Sequence, residues 1–145
     1  MKYNHLIPEL SVVDFEKSLR FYTQILGFKV EYDRMESNFA YLSFQGSQLM
    51  IDGGNDKKDS PWYTGELEYP RGRGIHLQID IDAIGPLVVK LEKHNYPIKK
   101  EPQDYWVRKG KVLVGMRGLL VMDPDGYLLM FNEDLGEKPV GVGVD

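Results

Sequence analysis

Cysteine is absent from the 145 residues, which removes both a disulfide framework and thiol catalysis and fits a reducing cytoplasm. Histidine is scarce: His5, His76 and His94 are too far apart for a zinc motif. No apolar run approaches the length of a membrane span. The opening Met1-Lys2-Tyr3-Asn4-His5 has none of the marks of a signal peptide. A basic excess is also missing. Eighteen Lys and Arg face 22 Asp and Glu, a formal charge of −4, which argues against binding a phosphate backbone. There is no Gly-x-Ser-x-Gly nucleophile motif. Gly72 and Gly74 flank Arg73 with no strand before them and no helix after, so they do not form a phosphate loop. The expectation is a cytoplasmic protein that engages neither nucleic acid nor membrane.

What is present is ordinary for a globular chain: 42% hydrophobic and 28% charged residues, at a length that suits one domain. The first half begins with a strand over 6–13, where Pro8 fits an edge. Asp14 then reads as a helix N-cap, with Phe15, Leu19, Tyr22, Ile25 and Leu26 at helical spacing and Gly27 as the stop. Strands follow at 28–32, 39–44 and 48–52. The second half repeats the plan. A strand at 75–81 alternates Ile75, Leu77, Ile79 and Ile81 with His76, Gln78 and Asp80. Asp82 is the expected cap of a helix carrying Ile84, Leu87, Val88 and Leu91, with Pro86 in its first turn and Asn95 at its left-handed end. A strand near Ile98, an irregular segment to Lys111, a strand at 119–122 and a final strand at 127–131 complete it.

Each half therefore reads strand, helix, strand, strand, strand, and the ends match: Leu49-Met50-Ile51-Asp52 against Leu129-Met130-Phe131-Asn132. A repeat of this kind predicts an α+β fold of two tandem βαβββ modules, at about 5–54 and 74–133, forming a concave mixed sheet within one domain over 1–135. The linking loop is 53–73, and 136–145 is expected to be a flexible tail.

Three segments carry a resemblance: Val12-Val13-Asp14-Phe15-Glu16-Lys17-Ser18-Leu19-Arg20-Phe21-Tyr22 before Leu26-Gly27-Phe28; Gly74-Ile75-His76-Leu77-Gln78-Ile79; and the turn Asp123-Pro124-Asp125-Gly126-Tyr127. In this order, on a repeating chain, they resemble the vicinal-oxygen-chelate superfamily of glyoxalases, bleomycin-resistance proteins and extradiol dioxygenases. The resemblance covers roughly residues 6–133. Enzymes of that superfamily hold a divalent metal through one ligand from each of four equivalent strands. Those positions fall here on Ile7, Asp52 (or Ile51), His76 and Met130, and neither Ile7 nor Met130 is a ligand for such an ion. His5 could substitute only if the first strand is regular. The resemblance thus implies no metal and no cofactor, and is closest to the bleomycin-resistance subgroup.

That subgroup implies a homodimer, with Pro8 marking an N-terminal strand that can be exchanged between subunits. It also implies a crevice that binds and sequesters a cationic, aromatic, bleomycin-like molecule without turnover. Candidate ligand-binding residues are Asp33, Phe39, Tyr41, Asp52, Trp62, Tyr63, His76 and Trp106. Trp62 and Trp106 either stack on a planar ligand or tuck against the sheet. Arg71 and Arg73, like Lys109 and Lys111, read as solvated loop charges. The alternative is a metal-dependent glyoxalase, dioxygenase or thiol transferase of the same superfamily.

Overall fold

Asp14 begins the helix of the first half as expected, its carboxylate accepting the Lys17 N–H at 3.1 Å. The helix α1, Phe15–Arg20, continues as a π-helical turn over Phe21–Leu26 and ends at Gly27 with φ 99°, a left-handed geometry that glycine adopts without strain. Phe15, Phe21, Tyr22 and Leu26 are buried along this run. The computed structural model describes residues 1–141, which divide into two compact units. The first comprises 1–75 together with the turn 123–127, and the second comprises 76–122 with the residues from 128 onward.

In the first unit β1 is Glu9–Ser11, β2 Lys29–Arg34, β3 Phe39–Phe44 and β4 Ser47–Asp52, in the order β1-β4-β3-β2. β1 runs parallel to β4 and the other pairs are antiparallel. Alternation along β3 and β4 sends Ala40, Leu42, Leu49 and Ile51 to the buried face, with relative exposures of 2% or less. Each leucine or isoleucine among them contributes about 2 kcal/mol by leaving water. The strand expected over 6–13 is shorter because Pro8 has no N–H for a ladder and the chain bends at His5 and Leu6. The regular strand that would have aligned His5 with Ile7 is therefore not formed.

The second unit repeats the topology with β5 His76–Asp80, α2 Gly85–Lys93, β6 Lys100–Lys109, β7 Val112–Met122 and β8 Leu128–Pro139, ordered β5-β8-β7-β6. Ile79, Leu119, Val121, Leu129 and Phe131 are buried in the sheet, and Ile84, Leu87 and Leu91 in or beside the helix. Four expectations are corrected. Asp82 does not cap α2; the helix begins behind Ile84, whose N–H donates to Glu133 Oε1 on β8 at 2.8 Å. The strand near Ile98 and the irregular segment after it are replaced by the ten-residue β6, an edge strand whose charges and Pro102 hid its Tyr105-Trp106-Val107 strand character. The strand expected at 119–122 begins at Val112. The supposed tail is also partly strand: Gly136 to Pro139 pair with Gly115 to Val112, extending β8 along the long β7 after a bulge at Leu135. The last four residues of that tail, 142–145, lie outside the described residues. No helix among the described residues is long and apolar enough to cross a membrane.

Candidate functional site

Register decides which side chains share a face. In the first sheet Phe39 pairs with Asp52 and Tyr41 with Met50, while Glu9 pairs with Met50 and Ser11 with Asp52. All six therefore project from the face opposite the buried Leu42, Leu49 and Ile51. β2 adds Tyr32 opposite Tyr41 and Arg34 opposite Phe39. The Tyr32 and Tyr41 rings are stacked, 5.2 Å apart at 17°. Tyr32 is 6.0 Å from Phe39, and the Arg34 guanidinium lies 3.9 Å from the Phe39 ring centre. Such a face attracts cations through the ring quadrupoles, and it already holds one. Tyr41 and Phe39 are almost wholly buried, whereas Tyr32 is 39% exposed, so a ligand would meet Tyr32 first.

The N-terminal segment lies on the same face. Tyr3 meets Tyr41 edge-on at 5.4 Å. Gln48 Oε1 accepts from both the Tyr41 hydroxyl and the Asn4 N–H, and its amide nitrogen donates to Lys2 O. Beside the aromatics sit two carboxylates. Asp52 accepts the Gly54 N–H at 2.6 Å, and Glu9 accepts from the Asn55 side chain at 3.2 Å. Burial, and then the neighbouring Asp52 charge, push the Glu9 carboxyl above the ordinary glutamate range; the Asn55 hydrogen bond and Arg34 oppose this.

The candidates from sequence are thus only partly gathered. Phe39, Tyr41 and Asp52 share the face. Asp33 pairs with Ala40 and points to the other side. Trp62 is 66% exposed on the loop. Tyr63 lines a cavity of about 310 Å³ with Asp56, Glu66, Leu67 and Arg71. A second cavity of about 320 Å³, bordered by Val13, Lys17, Tyr69 and Asp125, shares Leu67 and Arg71 with it. Arg71 is not a solvated loop charge. It is 8% exposed, donating to Ser11 O at 3.0 Å and pairing with Asp56 at 3.3 Å.

In the second sheet His76 and Met130 share one face, since Gln78 pairs with Met130 and His76 with Leu128. Trp106 belongs to the opposite row: it pairs with Gly115, whose absent Cβ would lie 2.6 Å from the indole. The Lys138 ammonium sits 4.0 Å from its ring centre. Sequence reasoning missed Glu9, Tyr32, Arg34 and Tyr3. Glu9 was within reach, because it shares the alternation of Ile7 and Ser11; the partners of Tyr32 required the β2–β3 register.

Deep in the first unit the 123–127 turn supplies polar anchors. Asp123 accepts the Tyr22 hydroxyl at 2.7 Å and the N–H groups of Asp125 and Tyr127, both at 2.9 Å. Burial raises its carboxyl to about 6 despite these bonds. Asp125 accepts the Val13 N–H.

The donor set does not fit the superfamily's metal. Ile7 and Met130 offer no suitable atom, and no three His, Asp or Glu side chains converge among the described residues.

A sequence profile for the Glyoxalase/Bleomycin resistance protein/Dioxygenase superfamily matches residues 2–131. The chain is 28% identical to a lactoylglutathione lyase of Schizosaccharomyces pombe over 95% of its own length, and spans 49% of that protein. It is also 28% identical to a Vibrio cholerae protein named "probable lactoylglutathione lyase", covering 87% of this chain and 88% of that one. A virulence protein from Salmonella typhimurium shares the fold with a TM-score of 0.65 at 18% identity, over 92% of this chain and 98% of that one.

Proposed function

The chain belongs to the Glyoxalase/Bleomycin resistance protein/Dioxygenase superfamily, and from that premise we propose that it binds a cationic, aromatic, drug-like molecule of the bleomycin class and releases it unchanged. The observation that carries this reading is the aromatic face of the first sheet, where the exposed Tyr32 stacks on the buried Tyr41, with Phe39 tilted beside them, in the row that also bears the carboxylates of Glu9 and Asp52. Flat rings hold a planar heterocycle, and the carboxylates complement its positive charge. Sequestration alone protects a cell, so no nucleophile is required. We further propose that the protein acts in the cytoplasm as a homodimer whose second copy completes the crevice.

Calorimetric titration with bleomycin tests the reading. Sequestration calls for micromolar affinity or better, about −8 kcal/mol. Tyr32→Ala should weaken binding about tenfold by removing a stacking partner, while Trp106→Ala leaves it unchanged. Affinity for the cation should fall with decreasing pH, beginning above the range of an ordinary glutamate, because Glu9 protonates early. Mass spectrometry should recover intact drug. Absence of binding heat at hundreds of micromolar, taken as about −5 kcal/mol or weaker, would remove the bleomycin reading.

A second reading, a metal-dependent isomerase, is favoured by the name shared by both curated relatives. Ile7 and Met130 count against it. Elemental analysis of protein purified without chelator separates the two: stoichiometric zinc, nickel, manganese or iron supports the enzyme.

A further inference from the structure

Asn132 is 3% exposed, and both its Oδ1 and Nδ2 are buried without a hydrogen-bond partner among the described residues. Native interiors rarely leave a whole amide unpaired, because a buried donor or acceptor without a partner costs stability that solvent would otherwise supply. Register places Asn132 in mid-strand, paired with Asp80 on β5 and Gly118 on β7. Its side chain therefore shares the face of His76 and Met130. Gly118 makes the room: a Cβ there would stand 2.5 Å from Asn132 Oδ1 and 3.1 Å from Met130 Cε. The amide and the methionine terminus thus converge over a glycine, with the exposed Gln78 and Asp80 on the next strand.

We infer that Asn132 is a ligand-reading residue beneath the face of the second sheet that carries the exposed His76, Gln78 and Asp80, taking the uncharged donor–acceptor edge of a carboxamide or lactam. The chemistry selects this class. A primary amide offers one acceptor and an NH₂ donor in a plane, and another amide edge satisfies both at once while staying uncharged at every physiological pH. A carboxylate would confront the Oδ1 lone pairs and the neighbouring Asp80, and an ammonium would leave the NH₂ unpaired. Met130 supplies the way in. An unbranched thioether is the most adaptable of apolar side chains, and its rotation away from Gly118 uncovers the amide. The inference does not depend on the first-sheet reading, since it concerns other residues on another sheet.

The test is nuclear magnetic resonance on the ¹⁵N-labelled full chain, with benzamide and 2-pyridone as probes and benzoate as control. The Asn132 side-chain NH₂ pair, assigned by its loss in Asn132→Leu, should shift saturably with both amides and stay in place with benzoate. Asn132→Leu should weaken amide binding, read from β8 backbone resonances, by about tenfold, the equivalent of two neutral hydrogen bonds. It should also raise the thermal midpoint, because an unpaired buried group has been removed. An NH₂ pair unmoved by the amides, or moved equally by benzoate, overturns the inference, as does a folded Asn132→Leu that binds amides like the wild type. The NH₂ pair is also assigned in the wild type by its through-space contacts to the Asn132 β-protons, so the wild-type spectra decide the matter even if the variant does not fold, and the bleomycin titration decides the first-sheet reading separately.

Discussion

Asp52 and Asn132 occupy the same place in the two halves, each the last residue of a matching Leu-Met-x-x segment and each opposite a residue on the module's first strand and on the strand between. Their surroundings differ because the backbone does. β4 ends at Asp52 and the chain turns through Gly53 and Gly54, so a main-chain N–H comes within 2.6 Å of the carboxylate. β8 runs on for seven residues past Asn132 to Pro139, and a strand interior turns its N–H groups sideways into the ladder, out of reach of its own side chains. Opposite Asp52 stands the aromatic Phe39; opposite Asn132 stands Gly118. Each half keeps its methionine, Met50 or Met130, but one sets it among rings and hydrogen-bonded carboxylates and the other beside a buried amide with no partner among the described residues. Equivalent positions in a repeat are equivalent in register only, and where the strand stops decides the chemistry.

Four measurements press on that comparison. The largest effect should come from the two cores. Phe131→Ala should cost about 4 kcal/mol and Ile51→Ala about 3 kcal/mol in chemical denaturation, both side chains being fully buried at matching positions; a loss below about 1 kcal/mol at either would mean that half is loosely packed. Next comes Asp123, the polar centre of the first unit. Its folded pKa of about 6 exceeds the unfolded 3.8. The stability it contributes is therefore complete below about pH 4 and lost as the pH rises through about 6, a change of about 3 kcal/mol. Asp123→Asn keeps the acceptor for the Asp125 and Tyr127 N–H groups, so its stability relative to the wild type should rise by that amount across this window. A flat difference would show that Asp123 is ionised throughout.

Gly118→Ala should cost about 2 kcal/mol through crowding against the Asn132 amide and Met130. The loss should shrink in Gly118→Ala with Asn132→Ala; strict additivity would mean the two side chains do not meet. The smallest effect is at the helix starts. Asp14→Ala and Glu133→Ala should each cost about 1 kcal/mol, the first by removing a local cap on Lys17 and the second a distant one on Ile84. A neutral Glu133→Ala would show that packing of Leu87 and Leu91, and not this hydrogen bond, holds α2.

Much of the fold was legible because its signals are local and occur twice. Asp14 as a cap, Gly27 as a stop, the alternation of 39–44 and the matched strand ends require only neighbouring residues. The errors arose where distant residues decide. Asp82 has a cap's identity, but Glu133, 49 positions beyond Ile84, occupies the helix start. β6 looked irregular because an edge strand is written in charges, and 136–139 looked like a tail because only the length of β7 gives them a partner. Of the candidate residues, alternation reaches only as far as the row that Phe39, Tyr41 and Asp52 share. Asp33 was named for its charge alone, and the one-residue irregularity between Val30 and Tyr32 sets it opposite Ala40 on the other face. Trp106 was assigned by residue type alone, and Gly115 gives it a berth on the other face.

The turn 123–127 is counted with the first unit although both strands it joins belong to the second. It delivers Asp123 to the Tyr22 hydroxyl, Asp125 to the Val13 N–H and a carbonyl to the Arg71 N–H. No single cut, whether by protease or by gene fission, therefore yields two self-sufficient halves: a fragment ending near residue 75 would lack the acceptors around which its helix was built. The first half of the repeat is thus completed by five residues borrowed from within the stretch of chain that builds the second.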